Sequence, residues 1–276
     1  MRRRPTVARL RDQSFNRLIP NILTLLALCA GLTSIRFGLH QHWEAAVVAI
    51  LIAAILDALD GRIARLLDST SKFGAELDSL SDFVSFGVAP ALLLYFWNLS
   101  ETGAPGWVAV LLYCVCCGLR LARFNTKLDN TDLPAWTGRF FMGVPAPAAA
   151  GLVLVPMVAD LAVGPGYFDN PWLAGMVAVV VAGLMVSRLP TYSFKRIKVP
   201  QHFVLPTLLI VGALAAFLAS SPWLTLLGIC GLYLCSMPLS WLSYRRLAGT
   251  TPVAPATAPV AMEETDLDEH DELPPR

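Results

Sequence analysis

The sequence predicts an all-α integral membrane protein of about eight transmembrane helices, with both termini in the cytoplasm. Three observations predict it. The 276 residues are 55% apolar with a mean hydropathy of +0.59. The apolar runs recur at lengths able to cross roughly 30 Å of hydrocarbon. The basic residues return at every second junction between runs. A backbone in lipid must satisfy its own hydrogen bonds, and runs of this length suit helices rather than barrel strands.

The expected spans are residues 18–37, 42–64, 75–98, 106–124, 142–162, 171–188, 202–219 and 222–243. Before the first lies a basic segment, residues 1–17, with Arg2, Arg3, Arg4, Arg9, Arg11 and Arg17; the positive-inside rule puts it in the cytoplasm. The second span ends at Arg62, Arg65 and Lys72, and the fourth at Arg120, Arg123, Lys127 and Arg139. The sixth ends at Arg188, Lys195, Arg196 and Lys198, and the eighth at Arg245 and Arg246. At the opposite junctions only Arg36 falls near an outer end. No cleavable signal peptide is expected, because the first apolar run is span-length and lacks a small-residue cleavage pattern. Residues 247–276 read as a disordered cytoplasmic tail, since seven acidic residues crowd into Glu263–Glu272 after a Pro/Ala/Thr-rich stretch.

The six cysteines fall inside apolar spans, so Cys114-x-x-Cys117 reads as packing rather than as a metal pair. The histidines are scattered and none pairs with a nucleophile. The chemistry lies in the acids. Asp57, Asp60, Asp78 and Asp82 sit at helical spacings inside two of the most apolar stretches. Ionised groups near bilayer depth are costly and face a cavity, a metal or one another, which marks a functional site by default.

Asp57 and Asp60, three apart near the cytoplasmic end of the second span, share a helix face. Gly61 and Ala64 continue that face with almost no side chain, so a ligand or a helix can approach the backbone. Arg65 follows one turn beyond Gly61, placed for an anionic group at the interface. After the short link Leu66–Lys72, Gly74, Asp78 and Asp82 recur at four-residue intervals on one face of the third span. Antiparallel pairing of the two spans brings the carboxylates together. Four unpaired acids in a partly dehydrated site repel one another, and divalent cations remove that repulsion. An all-oxygen donor set suits Mg²⁺ or Mn²⁺, which keep water and substrate phosphate as further ligands. Two such ions would clamp the attacking and leaving oxygens of a phosphoryl transfer. Helix capping accounts for Asp68, in the turn, but not for four acids in register. A transport pathway favours acids near mid-bilayer in internally repeated halves; this cluster hugs one interface and has no second copy.

The line Asp57-x-x-Asp60-Gly61-x-x-Ala64-Arg65, eight residues, then Gly74-x-x-x-Asp78-x-x-x-Asp82 resembles the signature of the CDP-alcohol phosphatidyltransferases without departure. The resemblance covers roughly residues 15–200. It implies a six-helix catalytic core over residues 18–200, two additional C-terminal helices over 201–246, and a homodimer. Members displace CMP from a CDP-linked lipid with an alcohol nucleophile and require Mg²⁺ or Mn²⁺, here as two ions. By position, Asp57, Asp60, Asp78 and Asp82 resemble the metal ligands, with Asp82 also the general base. Gly61, Ala64, Arg65, Ser71 and Gly74 resemble contacts to CDP-diacylglycerol. Pro20-Asn21-Ile22-Leu23-Thr24 is similar to the family's Asn-x-x-Thr element near the nucleotide; on its own it is a polar helix start after a proline.

Further segments resemble the branch of the family whose acceptor is L-serine: Leu77–Pro90, Arg120-Leu121-Ala122-Arg123-Phe124-Asn125, Gly143–Pro147 and Tyr192–Lys195. Selecting serine calls for a cation to grip its carboxylate. Arg120, Arg123 and Lys195 are placed to contact serine or lipid phosphate, or to serve only as positive-inside anchors. An unrelated route to the same product would need His-x-Lys, and no histidine here has lysine two positions on. Glycerol 3-phosphate, inositol phosphate or choline as acceptor, or a metal-ion transporter, are the competing readings. The expected setting is a bacterial inner membrane, with membrane lipids as surroundings, the site facing the cytoplasm and no nucleic-acid partner.

Overall fold

The computed structural model describes residues 7–128, 140–164, 166–187, 190–192 and 204–250. Arg2, Arg3, Arg4, Arg139, Lys195 and the acidic tail lie outside the described residues. The chain runs α1 (Val7–Leu39), α2 (Trp43–Leu66), α3 (Lys72–Asp82), a π-helical turn (Phe83–Val88), α4 (Ala89–Trp97) and a 3₁₀ turn (Leu99–Thr102). It continues through α5 (Ala104–Leu128), β1 (Phe140–Met142), α6 (Ala146–Val153), α7 (Val155–Val163), α8 (Pro171–Val186), β2 (Pro190–Tyr192), α9 (Val204–Ser220) and α10 (Pro222–Thr250). Among the described residues the fold is all-helical but for one short antiparallel ladder, in which Phe140 pairs with Tyr192 and Met142 with Pro190.

Among the described residues, Leu18–Leu39, Lys72–Trp97 and Ala104–Thr126 are long and apolar enough to cross a membrane, and the bent pair α6–α7, taken as one span, brings the number to four. α8, Leu205–Ser220 and Pro222–Pro238 are shorter apolar helices. Leu208, Leu209, Ile210 and Phe217 of α9 are exposed, as are Val108, Leu111, Val115 and Leu119 of α5. Such apolar faces on long helices need hydrocarbon around them, so this is a multi-pass membrane protein.

Three features depart from straight, uninterrupted spans. α1 does not start at Pro20: the helix begins at Val7 and passes through that proline, with Thr24 Oγ1 lying 3.1 Å from Pro20 O. The fifth span is broken at Leu154 into α6 and α7, bent by 46°. Pro156 explains the break, since it has no N–H for the Leu152 carbonyl and its ring crowds that carbonyl. The third span contains the π turn, in which Ala89 N–H bonds Val84 O, five residues back.

Small residues let the helices at the site close up. Ala46, Ile50 and Ala53 form the buried stripe of α2, and the same three-four spacing carries it on to Asp57 and Asp60. A Cβ on Gly31 of α1 would collide with the side chain and Cα of Ser85, so only glycine permits that approach. One on Gly87 would meet Cys117 Sγ at 3.1 Å, where the π turn lies against α5. Ala146, Ala149 and Ala150 of α6 are likewise fully buried. The six cysteines are free, Cys117 as a buried packing residue.

The α2–α3 link is a tight reversal. Ser69 N–H bonds Ala64 O at 2.9 Å and Asp68 N–H reaches Arg65 O at 3.5 Å, the two bonds of a Schellman stop. Asp68 occupies its left-handed position at φ 46° and is exposed. Ser71 then caps α3, accepting Gly74 N–H at 3.0 Å. This reversal places the end of α2 beside the start of α3.

Candidate active site

The stripe that buries Ala46 and Ala53 delivers Asp57 and Asp60 to the last turns of α2, and the reversal sets α3 antiparallel beside them. Carboxylate oxygens of Asp57, Asp60 and Asp78 all lie within 4.8 Å of one another. The Asp57 carboxyl also meets that of Asp82, so all four acids of the sequence pattern converge. Asp60 is only 4% exposed.

α1 supplies the third wall. Thr24 Oγ1 lies 2.6 Å from Asp60 Oδ2 and donates to it. One turn earlier on the same helix, Asn21 lies against Gly74; a Cβ there would sit 3.0 Å from Asn21 Oδ1. Ser81, buried next to Asp82, donates to Thr24 O at 3.1 Å, and Ser85 donates to Ala27 O at 3.3 Å. A hydroxyl-to-carbonyl ladder thus ties α3 to the helix whose threonine orients Asp60. The serines were legible as a four-residue repeat, 81 and 85, but nothing in the sequence said what they face.

α5 closes the fourth side, antiparallel to α3. Arg120 lies within electrostatic reach of Asp82, and its Nε is buried with no hydrogen-bond partner. Five residues on, Asn125 Nδ2 donates to Ser79 Oγ at 3.0 Å, between Asp78 and Asp82; in the sequence Asn125 is only the end of the segment Arg120–Asn125. Arg123 points elsewhere, with Nη1 donating to Val186 O at 3.0 Å on the last residue of α8. Gly61 has nothing within 4 Å of where its Cβ would stand, so the face beyond Asp60 is open. Ala64 is half-buried and its carbonyl is taken by the turn, Arg65 is exposed, and the Ser71 hydroxyl is engaged as a cap. Lys195 lies outside the described residues.

Two observations bear on whether a divalent cation fits. The clustered donors are all carboxylate oxygens, the hard set that Mg²⁺ and Mn²⁺ take. Asp82 Oδ1 is buried without a hydrogen-bond partner, an arrangement that is costly unless something meets it. The residues fit such an ion.

Fold and site together define a multi-pass helical membrane protein with an acidic centre able to hold a divalent metal at one end of the bundle. The chain belongs to the CDP-alcohol phosphatidyltransferase family, whose pattern matches residues 17–186. A second pattern, described as CDP-alcohol phosphatidyltransferase 2, matches residues 202–238, across α9 and the first part of α10. The chain is 44% identical over 232 residues to a Mycobacterium leprae protein named CDP-diacylglycerol–serine O-phosphatidyltransferase, covering 84% of this chain and 77% of that one. A Mycobacterium tuberculosis protein of the same name is 40% identical over 232 residues, covering 84% of this chain and 81% of its own. One from Bacillus subtilis is 34% identical over 178 residues, 64% of this chain and 92% of that one.

Proposed function

We propose that this protein transfers the phosphatidyl group of CDP-diacylglycerol to the hydroxyl of L-serine, giving phosphatidylserine and CMP. The observation that carries the reading is the convergence of Asp57, Asp60, Asp78 and Asp82 from two antiparallel helices. The choice of serine is supported by the relatives of that name, which align with most of the chain.

In this reading Asp57, Asp60, Asp78 and Asp82 would hold two Mg²⁺ or Mn²⁺ ions. Bound there, the ions would neutralise the diphosphate and stabilise the departing CMP. Thr24 fixes the Asp60 carboxylate by its short hydrogen bond. The open face at Gly61, with Asn21, Ala64, Arg65, Ser71 and Gly74 around it, receives the CDP headgroup while the acyl chains stay in the bilayer. Asp82 accepts the proton of the serine hydroxyl, whose oxygen attacks the phosphorus bearing diacylglycerol. Arg120, beside Asp82 with a free Nε, grips the serine carboxylate. Arg123 holds α5 to the end of α8, and Lys195 is a further basic contact to serine or lipid phosphate. Catalysis rests chiefly on positioning and on charge neutralisation.

The membrane arrangement belongs to the same proposal: eight spans, both termini and the aspartates on the cytoplasmic side of a bacterial inner membrane, and a homodimer. The first six spans, within residues 18–200, form the catalytic core, 201–246 add two helices, and 1–17 and 247–276 are the basic and acidic cytoplasmic ends. Purified protein with CDP-diacylglycerol, labelled serine and Mn²⁺ tests the function. CMP release that needs both metal and serine supports it. Release with glycerol 3-phosphate, inositol phosphate or choline instead would move the acceptor, and ion flux into liposomes without CMP release would replace the enzyme by a transporter.

A further inference from the structure

We infer that the π-helical turn after Asp82 sets the direction of that carboxylate, and that Tyr113 is the positioning residue that holds the turn. The inference rests on the role given to Asp82 above. A π turn holds one more residue than the α-helix would, is rare, and concentrates at functional sites. One extra residue rotates everything on one side of it by about 100° relative to an unbroken helix. Here the far side is immobilised by packing: Phe86, Ala89, Leu93 and Leu94 are each at most 1% exposed. The near side carries Asp82, with Asp78 one turn before it. The wide turn Phe83–Val88 therefore decides whether the acids point at α2 or away from it.

The turn is held from both flanks. Tyr113, fully buried on α5, donates its hydroxyl to Phe86 O at 3.0 Å, and Cys114 Sγ approaches Gly87 O at 3.7 Å. From the other side Ser85 donates to Ala27 O of α1. Tyr113, Cys117 and Arg120 follow one another at helical spacing, so the face of α5 that meets the turn at Tyr113 also carries Arg120 within electrostatic reach of Asp82. Tyr113 touches none of the four acids; its influence passes through the backbone of the turn.

Tyr113→Phe keeps the ring and removes the hydroxyl. The expected result is a fall in kcat of about 10- to 100-fold, as a roughly 1 Å misplacement produces. The KM for CDP-diacylglycerol stays near the wild-type value, and the Mn²⁺ electron paramagnetic resonance spectrum changes shape. Ser85→Ala, which releases the turn from the α1 side, gives the same signature and decides the matter if Tyr113→Phe does not fold. Ser34→Ala removes another buried hydroxyl, one that donates to Gly31 O at 2.7 Å within α1; its kcat and Mn²⁺ spectrum are unchanged. Wild-type kcat and spectrum in the folded Tyr113 or Ser85 variant would overturn the inference, as would an equal loss in Ser34→Ala. A wild-type protein with no serine-dependent CMP release would instead remove the functional reading, and the Mn²⁺ spectra would still test the positioning.

Discussion

Asp60 and Asp82 show how differently two carboxylates of one cluster are supported. Asp60 is nearly sealed and carries the 2.6 Å hydrogen bond from Thr24, whereas Asp82 keeps one buried oxygen without a partner. The first suits a fixed ligand and the second a group that also handles a proton. Asp82→Asn should lower turnover by about 10²–10⁴-fold, the usual worth of a general base, while CDP-diacylglycerol binding stays measurable by titration. Thr24→Val keeps the shape but strips a hydrogen bond to a carboxylate, a loss of about 1.5–3 kcal/mol. The check is a lower melting temperature together with a higher Mg²⁺ requirement. Arg120→Lys should raise the KM for serine by about tenfold with little change for the lipid, because lysine cannot form the two parallel bonds of a guanidinium. An unchanged serine KM would count against that contact.

At the scale of elements, the site depends on three helices meeting through atoms too small to announce themselves. Gly31 is a plain glycine in an apolar run, yet any side chain there strikes Ser85. Gly31→Val should cost about 1–3 kcal/mol of stability by overpacking, read by thermal unfolding in detergent, and should lower activity by parting α1 from α3. The all-helical class, the α2–α3 turn and the gathering of the acids were legible, because apolar runs and a three-four spacing are local signals. The break at Pro156 had its signal too, a proline inside an apolar run, though the sequence reading drew the span across it. The π turn had none. Its cause is non-local, since Tyr113 and Ser85 reach it from neighbouring helices and hold a geometry that the sequence of Phe83–Val88 does not specify.

Among the described residues, the bundle presents apolar faces outward and gathers its four intramembrane aspartates where α2 meets α3. Stripping divalent metal with a chelator should abolish turnover, and restoring Mg²⁺ or Mn²⁺ should return it; activity that survives chelation would remove the metal from the mechanism. Truncation after Thr250, where α10 ends, should leave the specific activity unchanged if the acidic tail is only a solvated appendage.

Hydropathy and the spacing of four aspartates were enough, by themselves, to indicate a helical membrane protein with an acidic centre on two consecutive helices. That is so because burial in lipid and helical periodicity are both written into neighbouring residues. Tertiary packing alone decided which groups serve that centre. It brought Thr24 to Asp60, set Arg120 rather than Arg123 against Asp82, and wound one extra residue into the turn behind it. Those choices depend on contacts between residues up to 63 apart in the chain, such as Arg123 with Val186, and no local pattern encodes them.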